Sequence, residues 1–173
     1  MPSILDTSRN DLARDFFNPV LRLAARYDRG VGYFSSGWLR VALEGMVEFA
    51  ANRGQGRWVT SPILDREDWE AIRIGDEARV DAVLRRRLLN TVRELEAQWD
   101  RDLRSTLAWL VADSVLTFRL AVPRSKLEGG EFHDKFGIFY DQEGDALSFN
   151  GSYNDSVQGT RNYESIKVFR SWD

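Results

Sequence analysis

The apolar residues of this chain change their spacing several times, and each change predicts a new helix or strand. Near the N-terminus they recur at helical spacing, at Leu12, Phe16, Val20, Leu23 and Tyr27. Asn18-Pro19 resembles a helix N-cap followed by proline at the first helical position. We therefore expect one or two short helices before Arg29-Gly30.

The next part of the chain alternates between strand and helix patterns. Residues 32–34, Gly-Tyr-Phe, predict a buried strand, and Ser35 or Ser36 can cap a helix that runs through Phe49 and ends near Gly54. A second strand is expected from Trp58 to Ser61, before Pro62. Asp65 then opens another short helix, with Asp68 three residues later.

The longest helical pattern runs from about Asp76 to Leu110 and predicts one long helix or two stacked helices. Its apolar stripe consists of Val80, Val83, Leu84, Leu88, Val92, Leu95, Trp99, Leu103, Leu107 and Leu110. The run Arg85-Arg86-Arg87 could form a phosphate-binding patch. A solvated helix face is the better interpretation, because Leu84 and Leu88 define the buried side.

The last third of the chain has mainly strand patterns. We expect a strand over 116–122, a loop through Gly129-Gly130, two strands joined by a turn at 141–145, and a final strand over 166–169. The alternation of helices and strands predicts an α/β sandwich, a mixed β-sheet flanked by helices. At 173 residues, the chain has the length of one domain. It stops directly after an apolar run, as a domain cut from a longer protein would.

Composition excludes several classes of site. There is no cysteine and only one histidine, so disulfides and a classical zinc site are excluded, and a reducing cytoplasm is the expected location. No apolar stretch approaches the length of a membrane helix. The net charge is −3, and from Lys126 onward there are five basic and nine acidic side chains. Affinity for DNA or RNA is therefore expected to be local or supplied by a linked domain.

The single histidine begins the most informative segment. His133 and Lys135 are two residues apart, and on a strand they would point to the same face. Ser152 and Asn154 repeat this spacing downstream, and they converge on the first pair if their strands are neighbours. An imidazole nucleophile beside a fixed ammonium suits the attack on a phosphodiester without a metal ion.

From His133 to Glu164 the chain resembles the phospholipase D superfamily, whose signature is His-x-Lys, then Gly-Ser-x-Asn, then an acidic residue. The phrases FHDKFGIFYD, FNGSYNDS, NYESIKVF and YDRGVGYFSSGWL resemble the single-motif phospholipase D-like domains at the front of DEAD/DEAH-type helicase and restriction-associated proteins. One departure concerns the family's usual aspartate five residues after the lysine. Tyr140 stands there, Asp141 follows it, and the interval to Gly151 is longer than usual.

The resemblance implies a role for each matching residue. His133 would be the nucleophile, Lys135 and Asn154 would neutralise the phosphate oxygens with support from Ser152, and Glu164 would orient the imidazole. Gly151 would permit the close approach of backbone or substrate. Asn162, together with Arg161, could extend the pocket, although a solvent-facing loop is an equally good interpretation.

These roles predict a metal-independent phosphodiesterase that needs no cofactor, in particular a nuclease acting on DNA or RNA. The family mechanism uses two histidines, so this single-motif chain is expected to form a homodimer.

A catalytically weak or inactive docking module of a helicase-type protein is the main alternative. A lipid-cleaving enzyme is disfavoured because no membrane-binding stretch is present. A serine hydrolase lacks its Gly-x-Ser-x-Gly elbow, and a metal nuclease would need clustered carboxylates. Asp134, Asp141 and Asp155 are interpreted instead as motif filler and turn formers.

Overall fold

The computed structural model describes residues 4–94, 102–122 and 131–172. Within them, strands from both ends of the chain form one mixed β-sheet in the order β1-β7-β6-β5-β2-β3-β4. The strands are β1 Ile4–Asp6, β2 Arg26–Val31, β3 Gln55–Thr60, β4 Leu116–Leu120, β5 Lys135–Tyr140, β6 Ala146–Gly151 and β7 Ser165–Arg170. The neighbours β2, β3 and β4 are parallel, and all other pairs are antiparallel.

Helices flank this sheet, which confirms the predicted fold class. They are a π-helical turn at Ala13–Phe17, α1 Asn18–Leu23, α2 Gly37–Val41, α3 Leu43–Ala51, α4 Arg66–Ala78, α5 Ala82–Glu94, α6 Leu103–Ala112 and a 3-10 turn at Val157–Thr160. Helix α4 begins as predicted, because the carboxylate of Asp65 accepts the N–H of Glu67. None of the described helices is long and apolar enough to cross a membrane.

The core lies between one face of the sheet and the helices, and aromatic side chains fill its centre. Phe16 and Phe17 meet Phe149 edge-on, with ring centroids 5.3 and 5.6 Å away. Tyr27 stacks on Phe139 with centroids 4.0 Å apart. These rings join the first helices to the central strands. Their packing fixes the position of the sheet next to the segments that follow β2 and β6.

Near the N-terminus the sequence predictions were partly wrong. The first central strand is Arg26–Val31, before the predicted 32–34, and it contains Tyr27, which had been assigned to the helical pattern. Pairing with β3 on one side and β5 on the other outweighs the helical spacing. Asn18 is not an N-cap, because it continues the helix from the π-helical turn. Its side-chain oxygen accepts the N–H of Gly45 at 2.8 Å instead.

The region predicted as one or two long helices contains α5, α6 and the end of α4. The chain turns after Ala78, where Arg79 donates hydrogen bonds to the carbonyls of Val111 and Leu116 at 2.9 and 3.0 Å. Val80 is 91% exposed, so its assignment to the buried apolar stripe was wrong. Arg85-Arg86-Arg87 is exposed, as predicted. Leu95 and Trp99 lie outside the described residues.

The C-terminal predictions were the most accurate. The hairpin forms between β5 and β6, and in its turn the carboxylate of Asp141 accepts the N–H of Asp145 at 2.9 Å. The final strand is present, and the strand predicted over 116–122 ends at Leu120. Strand β1 was not predicted. The expected loop at Gly129-Gly130 lies outside the described residues.

Candidate active site

The candidate residues lie where β5 begins and β6 ends. These strands are antiparallel neighbours, with Phe136 opposite Asn150, so the start of one lies beside the end of the other. Lys135 is the first residue of β5 and Gly151 the last of β6. The prediction that the two strands pair is therefore confirmed, and the pairing brings the His-x-Lys segment next to Gly-Ser-x-Asn.

His133 precedes the strand, so the argument that it shares a strand face with Lys135 was wrong. The two residues are joined differently, since the ammonium of Lys135 donates to the backbone carbonyl of His133 at 2.7 Å. The His133 side chain is exposed. A Cβ atom on Gly32 would lie only 3.4 Å from its Nδ1 atom, so the backbone after β2 passes directly beside the imidazole.

Asn154 is hydrogen-bonded to the backbone segment that follows β2. Its side-chain oxygen accepts the N–H of Tyr33 at 3.3 Å. Ser35 donates its N–H to the carbonyl of Asp155 at 2.8 Å, which holds the chain on the other side. Since the contact with Tyr33 uses the amide oxygen, the NH2 group of Asn154 remains a donor for an anion.

Ser152 closes the pairing of β6 and β7. Its N–H donates to the carbonyl of Ser165 at 3.0 Å, and its hydroxyl oxygen accepts the N–H of Ser165 at 3.1 Å. The hydroxyl hydrogen can still be donated to a bound group. A Cβ atom on Gly151 would lie 2.0 Å from the Ser165 carbonyl, so glycine is required here by the backbone.

Glu164 is buried, at 8% exposure, and Thr7 fixes its backbone. Its N–H donates to the Thr7 hydroxyl, and its carbonyl accepts the N–H of Thr7, both at 2.9 Å. Within the described ranges, no hydrogen bond joins its carboxylate to the imidazole of His133. Its role in orienting the imidazole therefore stays a prediction, and the charge of Glu164 acts on Lys135 instead.

Lys135 lies in a mixed electrostatic environment. Burial is the largest cause that lowers its pKa below the ordinary 10.5, and the positive charge of Arg29 lowers it further. The carboxylates of Glu164 and Asp134 oppose this shift. An anion bound at Lys135 would supply the negative charge that this partly buried ammonium favours.

Asn162 is the candidate that the structure does not bring into this group. Its side chain is exposed, and its backbone carbonyl accepts a hydrogen bond from the Thr7 hydroxyl at 2.8 Å. Thr7 also holds Glu164, so Asn162 contributes to the same loop through its backbone. A substrate contact by its side chain stays a prediction.

Two charged residues that were given no functional role lie beneath the site. Arg29 and Asp155 have completely buried side chains and form an ion pair at 2.8 Å. The interpretation of Asp155 as motif filler or a turn former was wrong. No signal for this pair was available, because the strand that contains Arg29 was not predicted, and only its burial shows that the guanidinium requires acceptor groups.

Across residues 4–94, 102–122 and 131–172, no three His, Asp or Glu side chains are grouped so that they could hold a metal ion. No protein-family model matches the chain, and no curated protein matches it significantly.

Proposed function

We propose that this protein is a phosphodiesterase of the phospholipase D type, a nuclease domain that uses His133 as its nucleophile. One observation carries the proposal. The pairing of β5 with β6 places His133 and Lys135 next to Gly151, Ser152 and Asn154 at one exposed end of the sheet. This end offers a nucleophile, an ammonium and an amide donor within one surface region.

In the proposed reaction, an imidazole nitrogen of His133 attacks phosphorus and the bond to the leaving oxygen breaks, which gives a phosphohistidine. Lys135 and the NH2 group of Asn154 stabilise the charge on the non-bridging oxygens. A general acid must protonate the leaving oxygen. Water then attacks the phosphohistidine, gives up its proton to the same group acting as base, and releases the second product and the free imidazole.

A second copy of the chain would supply this acid and base. The chain has one histidine, and the proposed reaction needs two. A two-fold axis through the site would bring a second His133 to the opposite side of the phosphate, because an isologous interface places identical residues face to face. Light scattering at micromolar concentration should then give about twice the monomer mass of 19.9 kDa. A strict monomer, both alone and within a longer parent protein, would contradict this part of the proposal.

The second candidate function is a phosphate- or nucleic-acid-binding docking module of a helicase-type protein. The excess of acidic over basic side chains from Lys126 onward favours it over a nuclease that acts alone, because long-range attraction to a polyanion is weak there and a linked domain would supply most of the affinity. Binding by such a module would depend on Lys135 but not on His133 as a nucleophile.

The two functions are separated by cleavage assays in EDTA. We expect the wild type to cleave bis(p-nitrophenyl) phosphate or an oligonucleotide, and His133→Asn to lose cleavage but retain phosphate binding through Lys135 and Asn154. Activity that disappears with EDTA and returns with magnesium, or that persists in His133→Asn, would reject the mechanism. Binding that depends on Lys135, without cleavage in any form of the protein, would identify the docking module.

A further inference from the structure

The buried guanidinium of Arg29 connects the segment that carries Lys135 with the segment that carries Asn154. Arg29 lies in the middle of β2, opposite Gly137 of β5 and Trp58 of β3. Its Nη1 atom donates to the carbonyls of Gly30 at 3.0 Å and Phe136 at 2.9 Å. Phe136 directly follows Lys135, so this bond fixes the backbone from which the ammonium projects.

The remaining nitrogens of Arg29 hold the segment that carries Asn154. Nη2 donates to the carbonyl of Tyr153 at 2.7 Å and to the carboxylate of Asp155 at 2.8 Å. Nε also donates to Asp155, at 3.0 Å. Asn154 is therefore flanked on both sides by residues bound to the same guanidinium.

Asp155 also accepts a hydrogen bond from a side chain of the neighbouring strand β3. Its second carboxylate oxygen accepts the indole N–H of Trp58 at 2.8 Å. Every N–H of the Arg29 guanidinium has an acceptor. A buried ion pair is a weak source of net stability, because burial of both charges costs about as much as their attraction returns. Its specific contribution here is geometric.

We propose that Arg29, held by Asp155, is a positioning residue that sets the spacing between Lys135 and Asn154. The proposal rests on the proposed function only in assigning those two residues to the same phosphate group. Lysine cannot replace this arginine, because a single ammonium cannot reach acceptors on three separate backbone segments in the way that a planar guanidinium does.

The test compares Arg29→Lys with Arg79→Lys as a matched control. Arg79 also donates to two backbone carbonyls, those of Val111 and Leu116, but they lie in α6 and at the start of β4. The variants should be compared at a temperature at which both are folded by circular dichroism. We expect Arg29→Lys to weaken binding of inorganic phosphate by about 10-fold and to lower kcat/KM for a diester by about 100-fold. Arg79→Lys should change neither by more than about 3-fold.

A spectroscopic measurement separates positioning from general stability. The chain has three lysines, so the Lys135 side-chain resonance can be assigned with Lys135→Arg. Addition of inorganic phosphate should shift this resonance in the wild type and in Arg79→Lys at similar concentrations, but in folded Arg29→Lys only at phosphate concentrations about 10-fold higher. If Arg29→Lys does not fold, the apolar double variant Arg29→Met/Asp155→Leu replaces it, because an apolar pair can occupy a buried ion-pair site.

The outcomes distinguish this inference from the proposed function. A folded Arg29 variant with wild-type phosphate binding and wild-type cleavage would overturn the positioning role and leave the enzyme proposal intact. A wild type that binds phosphate in an Arg29-dependent manner but cleaves nothing would support positioning and reject the enzyme. A wild type that neither binds phosphate nor cleaves would reject both.

Discussion

The ammonium of Lys135 donates a hydrogen bond to the backbone carbonyl of His133, with 2.7 Å between nitrogen and oxygen. The two residues of the His-x-Lys pair are therefore connected through the chain itself. The remaining ammonium hydrogens can still be donated, and the imidazole is exposed. A phosphate held by Lys135 would consequently lie beside the side chain proposed to attack it.

We expect the pKa of Lys135, measured by NMR of its side chain, to lie below the ordinary value of 10.5. Burial and the positive charge of Arg29 both disfavour the charged form. Phosphate binding should accordingly weaken with rising pH before an ordinary lysine would lose its proton. A Lys135 pKa at or above 10.5 would contradict the described environment.

Replacing Glu164 with Gln should lower turnover by about 10- to 1000-fold while the fold is retained, the order expected when an acid-base group loses its orienting partner. The same change should lower the pKa of Lys135 further, because the carboxylate favours the charged ammonium. Turnover of the variant and NMR of the Lys135 side chain measure the two effects separately. If Glu164 orients the imidazole, turnover falls in the variant. If Glu164 acts only on Lys135, the Lys135 pKa falls and turnover at pH 7 stays close to that of the wild type.

Gly151→Ala should destabilise the protein by about 1–3 kcal/mol, because the new methyl group would lie 2.0 Å from the carbonyl of Ser165 and force the backbones apart. Asn150→Ala is the matched control on the same strand. Its side chain is exposed, so the change in unfolding free energy should stay within about 0.5 kcal/mol. Urea denaturation measures both. Equal stability of the two variants would mean that β6 and β7 are farther apart than described.

Tyr27→Phe should leave stability at pH 7 unchanged or raise it by up to about 1 kcal/mol. The Tyr27 hydroxyl is buried and, among the described residues, makes no hydrogen bond, while its ring packing is retained in phenylalanine. Tyr33→Phe, at an exposed position, is the control. A loss above 1 kcal/mol in urea denaturation at pH 7 would point to a bonded hydroxyl.

The same variant should reduce the loss of stability in alkaline solution. Burial raises the pKa of Tyr27 well above 10.0, so the folded protein keeps this proton while the unfolded chain releases it. The wild type therefore loses stability as the pH rises above 10.0, and removal of the hydroxyl removes this contribution. Tyr153 has a raised pKa for the same main reason and should retain its share of the effect.

The sequence alone determined the fold class, the β5–β6 hairpin and the final strand, because local features define them. Alternating apolar residues and the turn at Asp141 specify the hairpin without distant contacts. The sequence also indicated His133, Lys135, Ser152 and Asn154 as candidates, since their order and spacing can be read directly from the chain. It did not determine where β2 lies, because Tyr27 fits a helical pattern and becomes part of a strand only through pairing with β3 and β5.

Only the tertiary structure decided how the candidate residues meet. Arg29 and Asp155 are 126 residues apart, and nothing local indicates that one guanidinium binds the backbone beside both Lys135 and Asn154. The contact exists because β2 lies next to β5 in the sheet and the chain after β6 returns to the end of β2. Burial then removes water as an alternative partner, so the charged groups must satisfy each other and the surrounding carbonyls.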